Sequence, residues 1–397
     1  MTALLWCIIL VCAVWLGLRQ LPAGADGHNP LPYLIALLPF APFVTFPALL
    51  LSLWLGDGVS IVAACVVAIW SCLQFLPHWG CHRSNEITDS DSLHLSNSPQ
   101  ASDRETIRET SLPSRETHRE TSDGSAETHL TDASNERPET NHTLEPLRML
   151  TINCRYGRAD EQAIIDAVQQ HSISVLCLEE LTSALVQRLE QAGLEDLLPH
   201  RQIGTIADTD NGGFNAIWTS MPISCSRPSS IPDYPAAAVP SISIEVSPSR
   251  TVTIAAAHPK SPMRGCREWS QGIIALGSLL SPTTDPSRIS AAQSAQTVDA
   301  SPTARPTDQS AQDLVICGDF NANLNHPSFR RLLRYGLHDA AMVLGRGAAM
   351  TYPSWLRWPR IELDHVLHTN GLAPELVETL FIEGTDHMGL HAVLHFV

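Results

Sequence analysis

Several apolar runs in this 397-residue chain stop abruptly at a residue able to bind a metal or act on a phosphate. Leu-Thr-Ile stops at Asn153, and Val-Leu-Cys-Leu at Glu179 and Glu180. Thr-Ile-Ala-Ala-Ala leads into His258, and Leu-Val-Ile-Cys-Gly into Asp319, Phe320 and Asn321. Near the C-terminus Asp364 and His365 follow Leu363, and Asp386 and His387 follow Gly-Thr. The inventory is carboxylates, amides and imidazoles. Oxygen donors suit a hard ion such as Mg²⁺ or Mn²⁺, which keeps several waters. Phosphodiester cleavage requires an activated water, neutralised charge on the phosphoryl oxygens and help for the leaving oxygen. An Asp can orient or deprotonate water, while imidazole and Asn amide groups donate to phosphoryl oxygens. No GxxxxGK[ST] loop or GxSxG elbow is present, which argues against a P-loop nucleotide site and a serine hydrolase.

Taken singly, each residue has a plainer use. Asn153 could cap a strand, Glu180 could start a helix with Thr182 and Ser183, and Asp319 with Asn321 could form an Asx turn. His258 before Pro259 could be a surface imidazole. His365 and His391 read as structural or supporting residues, and Tyr352, Trp355 and Trp358 as a packed loop or a ligand platform. What favours a site is the recurrence of polar residues directly after buried strands, where a sheet fixes side chains and loops admit substrate.

The elements that must position these residues alternate between strand and helix patterns. Strands are predicted at 147–153, 173–178, 213–219, 241–246, 251–257, 313–318, 362–368 and 390–396, with helices at 160–171 and 182–193. This is an α/β pattern, and two packed sheets flanked by helices fit it. Cys177 and Cys317 fall inside apolar strands as small hydrophobes, and no cysteine spacing supports zinc or a disulfide framework.

Taken in order, the motifs resemble those of the endonuclease/exonuclease/phosphatase superfamily. They are Thr-Ile-Asn at 151–153, Leu-Glu-Glu-Leu at 178–181, His-Pro at 258–259, Gly-Asp-Phe-Asn-Ala-Asn at 318–323, Glu-Leu-Asp-His-Val-Leu at 362–367 and Gly-Thr-Asp-His-Met-Gly-Leu at 384–390. The likeness spans about 145–397 and extends to membrane-anchored bacterial members with a Thr-Tyr-Pro…Trp stretch before the late Asp-His-Val. It implies a four-layer α/β sandwich and Mg²⁺-dependent hydrolysis, with Mn²⁺ as an alternative ion. Glu180, Asp386 and Asn153 are then the metal side. Asp319 acts on the attacking water, Asn321, His387 and His258 on the phosphoryl group, and Asp364 orients His387. Three positions depart from the pattern: Glu179 stands where the family has Gln, Ser174 where an Asp is frequent, and Ser220 where an Arg is usual. Glu179 could then be an added ligand or the partner of an Arg.

The remaining chain divides by composition into a membrane anchor at 1–80, a linker at 81–145 and the hydrolase domain at 146–397. Apolar stretches at about 3–18, 31–55 and 60–77 approach the roughly 20 residues a bilayer-spanning helix needs, giving two or three spans and a multi-pass, cell-membrane location. Pro32, Pro39, Pro42 and Pro47 predict kinks in the second stretch. With three spans, Arg19 and Arg83 share one side; two charges leave the orientation open. The linker repeats Arg-Glu-Thr four times with few large apolar residues and reads as a disordered tether. A second low-complexity run at about 281–312 reads as a loop insertion, and the Asn141 sequon as accidental.

Net charge is −16, with 18 Arg and Lys against 26 Asp and Glu from Glu145 onward. No general pull toward nucleic acid exists, so local Arg side chains and metal must meet an anionic substrate. Substrate candidates are nucleic acid, a phospholipid headgroup or a small phosphoester such as an inositol phosphate. A non-catalytic binding module on the same fold is the remaining alternative. No protein partner is implied.

Overall fold

The computed structural model describes residues 1–79, 144–207, 212–280 and 311–397. The repeat-rich linker, its sequon and nearly all of the 281–312 run lie outside these residues. The first apolar stretch forms helix α1 (Thr2–Gly17), continued by a 3₁₀ turn to Gln20. The second is divided into α2 (Leu31–Ala36), a 3₁₀ turn at Leu38–Phe40 and α3 (Pro42–Leu55). Pro39 and Pro42 each lack the N–H that would continue a helix, so the break falls where the prolines predict. The third, α4 (Gly58–Leu73), is capped by the Asp57 side chain on Val59 N–H and ends before the expected residue 77. Thr2–Gln20 and Leu38–Leu55 are long and apolar enough to cross a membrane, while Gly58–Leu73 is shorter.

The remaining described residues build two six-stranded mixed sheets. One holds β1 (Leu147–Asn153), β2 (Val175–Leu181), β3 (His200–Ile203), β4 (Phe214–Thr219), β11 (Leu372–Leu380) and β12 (Gly389–Phe396), in the order β11-β12-β1-β2-β4-β3. The other holds β5 (Cys225–Arg227), β6 (Ser241–Ser247), β7 (Arg250–Ala256), β8 (Ala311–Asp319), β9 (His338–Asp339) and β10 (Asp364–His368), in the order β5-β6-β7-β8-β10-β9. The β1–β2 and β7–β8 pairs are parallel, and every other pair is antiparallel.

Alternation along the strands produces the four layers. Leu147 and Met149 on β1 and Val175 and Cys177 on β2 face Val252, Ile254, Val315 and Cys317 across the gap between the sheets. Their alternates Leu150, Ile152, Leu176 and Leu178 pack under α5 (Glu161–Gln170), α6 (Ser183–Gln191) and α7 (Leu194–Leu197). On the far side Ala255, Leu314 and Ile316 pack under α8 (Cys266–Ala275) and α9 (Pro327–Leu333). A last short helix, α10 (Ala340–Leu344), follows β9. The fold is the four-layer sandwich that the motifs imply. Strands β3, β5, β9 and β11 were absent from the pattern-based expectation; three are short, and β11 carries Pro374 and a register shift.

The N-terminal segment packs directly on α8 and α9. Asp26 is fully buried; its Oδ2 accepts from Ser328 N–H at 2.9 Å, and its Oδ1 from Ser328 Oγ at 2.5 Å and Ser270 Oγ at 3.4 Å. Gly27 allows this approach, since a Cβ there would lie 3.1 Å from Ser270 Cβ. His326 Nε2 bonds Pro32 O at 3.0 Å, Asn323 Nδ2 donates to Ala36 O at 3.2 Å, and the Arg330 guanidinium donates to Arg19 O.

Candidate active site

The strand faces determine where the polar residues meet. Asn153, Asp319, Asp364 and His258 continue the alternation that points Met149, Cys317, Val366 and Ala256 between the sheets, so all four reach the mouth of the inter-sheet gap. Register aligns them further, with Asp364 opposite Asp319 on antiparallel β10 and β8. Gly318 permits the crowding here, because a Cβ at this position would lie 2.1 Å from Ala257 O.

Asp319 is the hub. Its Oδ2 accepts from Asn153 Nδ2 at 3.0 Å, from the opposite sheet, and from Asn321 Nδ2 at 3.3 Å. Its Oδ1 accepts from Asn321 N–H at 2.8 Å, with Asn321 held at φ 50°. His258 Nε2 and His387 Nε2 each lie 3.6 Å from the same Oδ2. Burial pushes the Asp319 carboxyl up, against the pull of His387. On its other edge His387 Nδ1 bonds Asp364 Oδ2 at 2.8 Å. Burial alone would lower the His387 pKa; Asp364, Asp319 and Asp386 together overcome it and raise it to about 10. His258 is lowered by burial, and its Nδ1 is buried without a hydrogen-bond partner.

The adjacent glutamates go separate ways. Glu179 continues the inward face of Val175 and Cys177 and is fully buried, with Oε1 accepting from Thr151 Oγ1 at 2.8 Å. Burial pushes its carboxyl far up, its Oε2 is buried without a hydrogen-bond partner, and among the described residues no ion pair joins it to an Arg. Glu180 would alternate toward the helices, but it adopts φ 49° within a register shift between Leu178 and Leu181. The irregularity turns it into the site, where Oε2 accepts from Tyr156 N–H at 3.0 Å and Oε1 lies 3.8 Å from His258 Nε2. Backbone irregularities of this kind often re-aim functional side chains.

Asp386 stands at the rim, 3.6 Å from Arg155 Nε, and its backbone oxygen accepts from Ser354 N–H. The eight predicted residues therefore share one end of the sandwich. Asp319, Asp364 and His387 bring donor atoms within 4.8 Å of one another, a candidate metal group. Within it Asp364 Oδ2 is already engaged by His387 Nδ1 at 2.8 Å, while His387 Nε2 stays 3.6 Å from Asp319 Oδ2.

Two contributors, Arg155 and Arg264, escaped the sequence reading of the site. Arg155 lies two residues after Asn153 and offers a guanidinium at the rim, and Arg264 bonds the Tyr156 hydroxyl and stacks on its ring. These arginines offer the cationic groups that Ser220 does not. Tyr352 packs on His387 with ring centroids 4.9 Å apart. An Arg two residues past a strand-end Asn was the available signal for the first, and nothing local marks Arg264; Tyr352 belongs to the aromatic loop that the sequence offered as a packed loop or ligand platform.

Among solved structures, the chain is similar to TDP2 of D. rerio in complex with a single-strand DNA product, at 16% identity and TM-score 0.43, covering 63% of this chain and 99% of that one. It is similar to sphingomyelinase C of Streptomyces griseocarneus at 15% identity and TM-score 0.40, covering 62% and 99%. A mannosyl-6-phosphatase of Bacteroides thetaiotaomicron aligns at 12% identity and TM-score 0.41, covering 63% and 100%. No curated protein sequence matches. Residues 150–387 match the profile of the Endonuclease/Exonuclease/phosphatase family, from the strand that carries Asn153 to His387; the chain belongs to that family and is a hydrolase of phosphoester bonds.

Proposed function

We propose that the protein is a divalent-metal-dependent phosphoester hydrolase held in a membrane by its N-terminal helices. The observation that carries the catalytic part is the meeting of both sheets on Asp319 Oδ2, with Asn153 and His387 approaching from different elements. The donor set fits a hard cation. Four carboxylates, Glu180, Asp319, Asp364 and Asp386, surround one cationic imidazole, and burial pushes the Glu180 carboxyl up. A further positive charge is what this cluster lacks. Glu180, Asp386 and Asn153 Oδ1 would hold Mg²⁺ or Mn²⁺, which when bound supplies charge neutralisation to the phosphoryl oxygens.

The chain's own groups do the rest. Asp319, steadied by Asn153, orients a water and accepts its proton; burial makes it a better acceptor than a solvated Asp. His387 Nε2 and Asn321 Nδ2 donate to the phosphoryl oxygens, with His258 beside them, and Asp364 fixes the His387 ring. The full chain in detergent with Mg²⁺ should hydrolyse bis(p-nitrophenyl) phosphate. Asp319→Ala or His387→Ala should each lower kcat by roughly a hundredfold or more. Unchanged turnover in both variants would defeat the assignment.

Support for membrane embedding comes from the packing of α3 on α4. This contact uses mostly small or polar residues, Thr45, Ala48 and Ser52 on α3 against Ser60, Ala64, Val67, Ala68 and Ser71 on α4, with Thr45 Oγ1 and Ser71 Oγ 2.9 Å apart, whereas α1 buries Leu5, Ile9, Cys12 and Leu16. Large apolar residues such as Leu10, Phe46, Leu50, Trp54, Val62 and Ile69 point outward. Small residues inside and large ones outside is how helices pack in lipid, whereas a water-soluble bundle would reverse it.

A further inference from the structure

We infer that the site works at the membrane–water boundary and takes the phosphoester of a membrane lipid headgroup, a reading that rests on the hydrolase function proposed above. Three observations carry it. First, the helices that we place in the bilayer are docked on the hydrolase layers. Arg330, His326 and Asn323 each grip a backbone oxygen of the N-terminal segment, at Arg19, Pro32 and Ala36. The level at which α1 ends and α3 begins is thereby fixed relative to the site.

Second, one loop joins that level to the catalytic histidine. Tyr352 packs on His387, and Trp355 packs on Tyr352 at 5.9 Å. Three residues further on, at most about 10 Å of chain, Trp358 meets Phe43 at 5.2 Å and Phe40 at 6.3 Å at the start of α3. Trp355 and Trp358 are nevertheless 61% and 63% exposed, and Leu356 between them is also exposed. Exposed Trp side chains beside the end of an apolar helix suit the headgroup level of a bilayer, where an apolar ring and a polar N–H are both accommodated. The exposed apolar surface of α3 continues from this loop through Phe43, Phe46 and Leu50.

Third, the charge balance gives no alternative attraction. From Glu145 onward 26 acidic side chains oppose 18 basic ones, so the sequence-independent pull that nucleic-acid enzymes use is missing. A lipid headgroup needs no such pull, because insertion of its acyl chains already concentrates it at the site.

In the reaction a water oxygen bonds to phosphorus as one P–O ester bond breaks. Asp319 takes the water's proton and passes it to solvent, which protonates the departing alkoxide, so one ester and one water give an alcohol and a phosphate with no redox change. One product stays in the bilayer and the other enters water.

The test uses the full chain reconstituted into vesicles of phosphatidylethanolamine, phosphatidylglycerol and phosphatidylinositol, with bis(p-nitrophenyl) phosphate and single-stranded DNA as parallel soluble substrates. With Mg²⁺ or Mn²⁺, the vesicle arm should release phosphorus or headgroup into the aqueous phase. Trp358→Ala should lower the ratio of vesicle rate to soluble-ester rate about tenfold. Turnover of the soluble ester or DNA with every lipid intact overturns this inference and leaves the hydrolase function standing. No turnover of any substrate overturns the hydrolase function itself. A Trp358→Ala ratio equal to that of the unaltered chain overturns the role of the aromatic loop.

Discussion

His387 is held by Asp364 through a 2.8 Å bond at Nδ1, which leaves Nε2 3.6 Å from Asp319 Oδ2. The ring therefore presents one edge to a supporting carboxylate and the other to the reacting groups. Asp364→Asn should lower kcat about 10- to 100-fold, with a smaller effect on KM. It should also move the alkaline limit of kcat to lower pH. His387 acts as a donor, so activity falls as pH rises through its pKa; removing one of the carboxylates that hold this near 10 lowers it. A pH–rate profile on a soluble phosphodiester checks both. An unmoved alkaline limb would show that Asp364 serves packing alone.

Glu179 and Glu180, adjacent in sequence, should respond oppositely to amidation. Glu180→Gln should weaken Mn²⁺ binding at least about tenfold in a calorimetric titration, because a charged oxygen donor is lost. Glu179→Gln should leave that affinity in place and raise the melting temperature at pH 7. The Glu179 carboxyl is held up by burial. The unfolded chain releases this proton above its ordinary value of about 4.5 while the fold retains it, so stability is fullest below that pH and declines as pH rises. An amide removes the decline. The melting gain should therefore vanish near pH 4.

Strand alternation made the core of this site legible before any coordinates. Asn153, Asp319 and His258 each follow a run whose apolar residues fix which face points between the sheets. Motif order supplied the pairing of Asp364 with His387, which no local pattern contains. The geometry of Glu180 was not legible in this way. Strict alternation from Leu176 and Leu178 would aim it at the helices, and only a local irregularity at positive φ reverses that. Nor was the docking of the N-terminal segment. It depends on buried hydrogen bonds between residues about three hundred positions apart, such as Asp26 and Ser328, and no periodicity encodes such contacts.

A second histidine should add to the alkaline loss of stability that the raised His387 also produces. His365 Nδ1 bonds Asp339 Oδ2 at 2.7 Å and Nε2 donates to Ala322 O at 2.9 Å, which anchors the loop after Asp319. Burial lowers its pKa, but Asp339 and Glu362 outweigh this and raise it to about 9. A raised histidine contributes stability that is complete below its unfolded value near 6.5 and is lost as pH rises through about 9. The loss should be on the order of 3 kcal/mol, from the 1.36 kcal/mol that each pH unit represents. Urea unfolding followed across that window would measure it. Asp339→Asn should flatten the slope, and an equally steep slope in that variant would remove His365 as its origin.

The Asp26 contact should hold the N-terminal helices on the hydrolase layers. Its carboxylate takes three hydrogen bonds from Ser328 and Ser270 in a fully buried position. Asp26→Ala would leave the Ser328 N–H without its acceptor, at a cost of about 1–3 kcal/mol for a buried donor left unpaired, while the Ser328 hydroxyl could turn to Ser270 Oγ at 2.7 Å. The outcome should be a lower melting temperature and faster hydrogen exchange at the start of α9, where Ser328 sits. Asp26→Asn should be milder, because its amide oxygen retains one acceptor position. Exchange at the Ser328 amide that stays as slow in the Ala variant as in the unaltered chain would mean that His326, Asn323 and Arg330 suffice to hold the segment. The Asp26 bond would then be a consequence of docking rather than its cause.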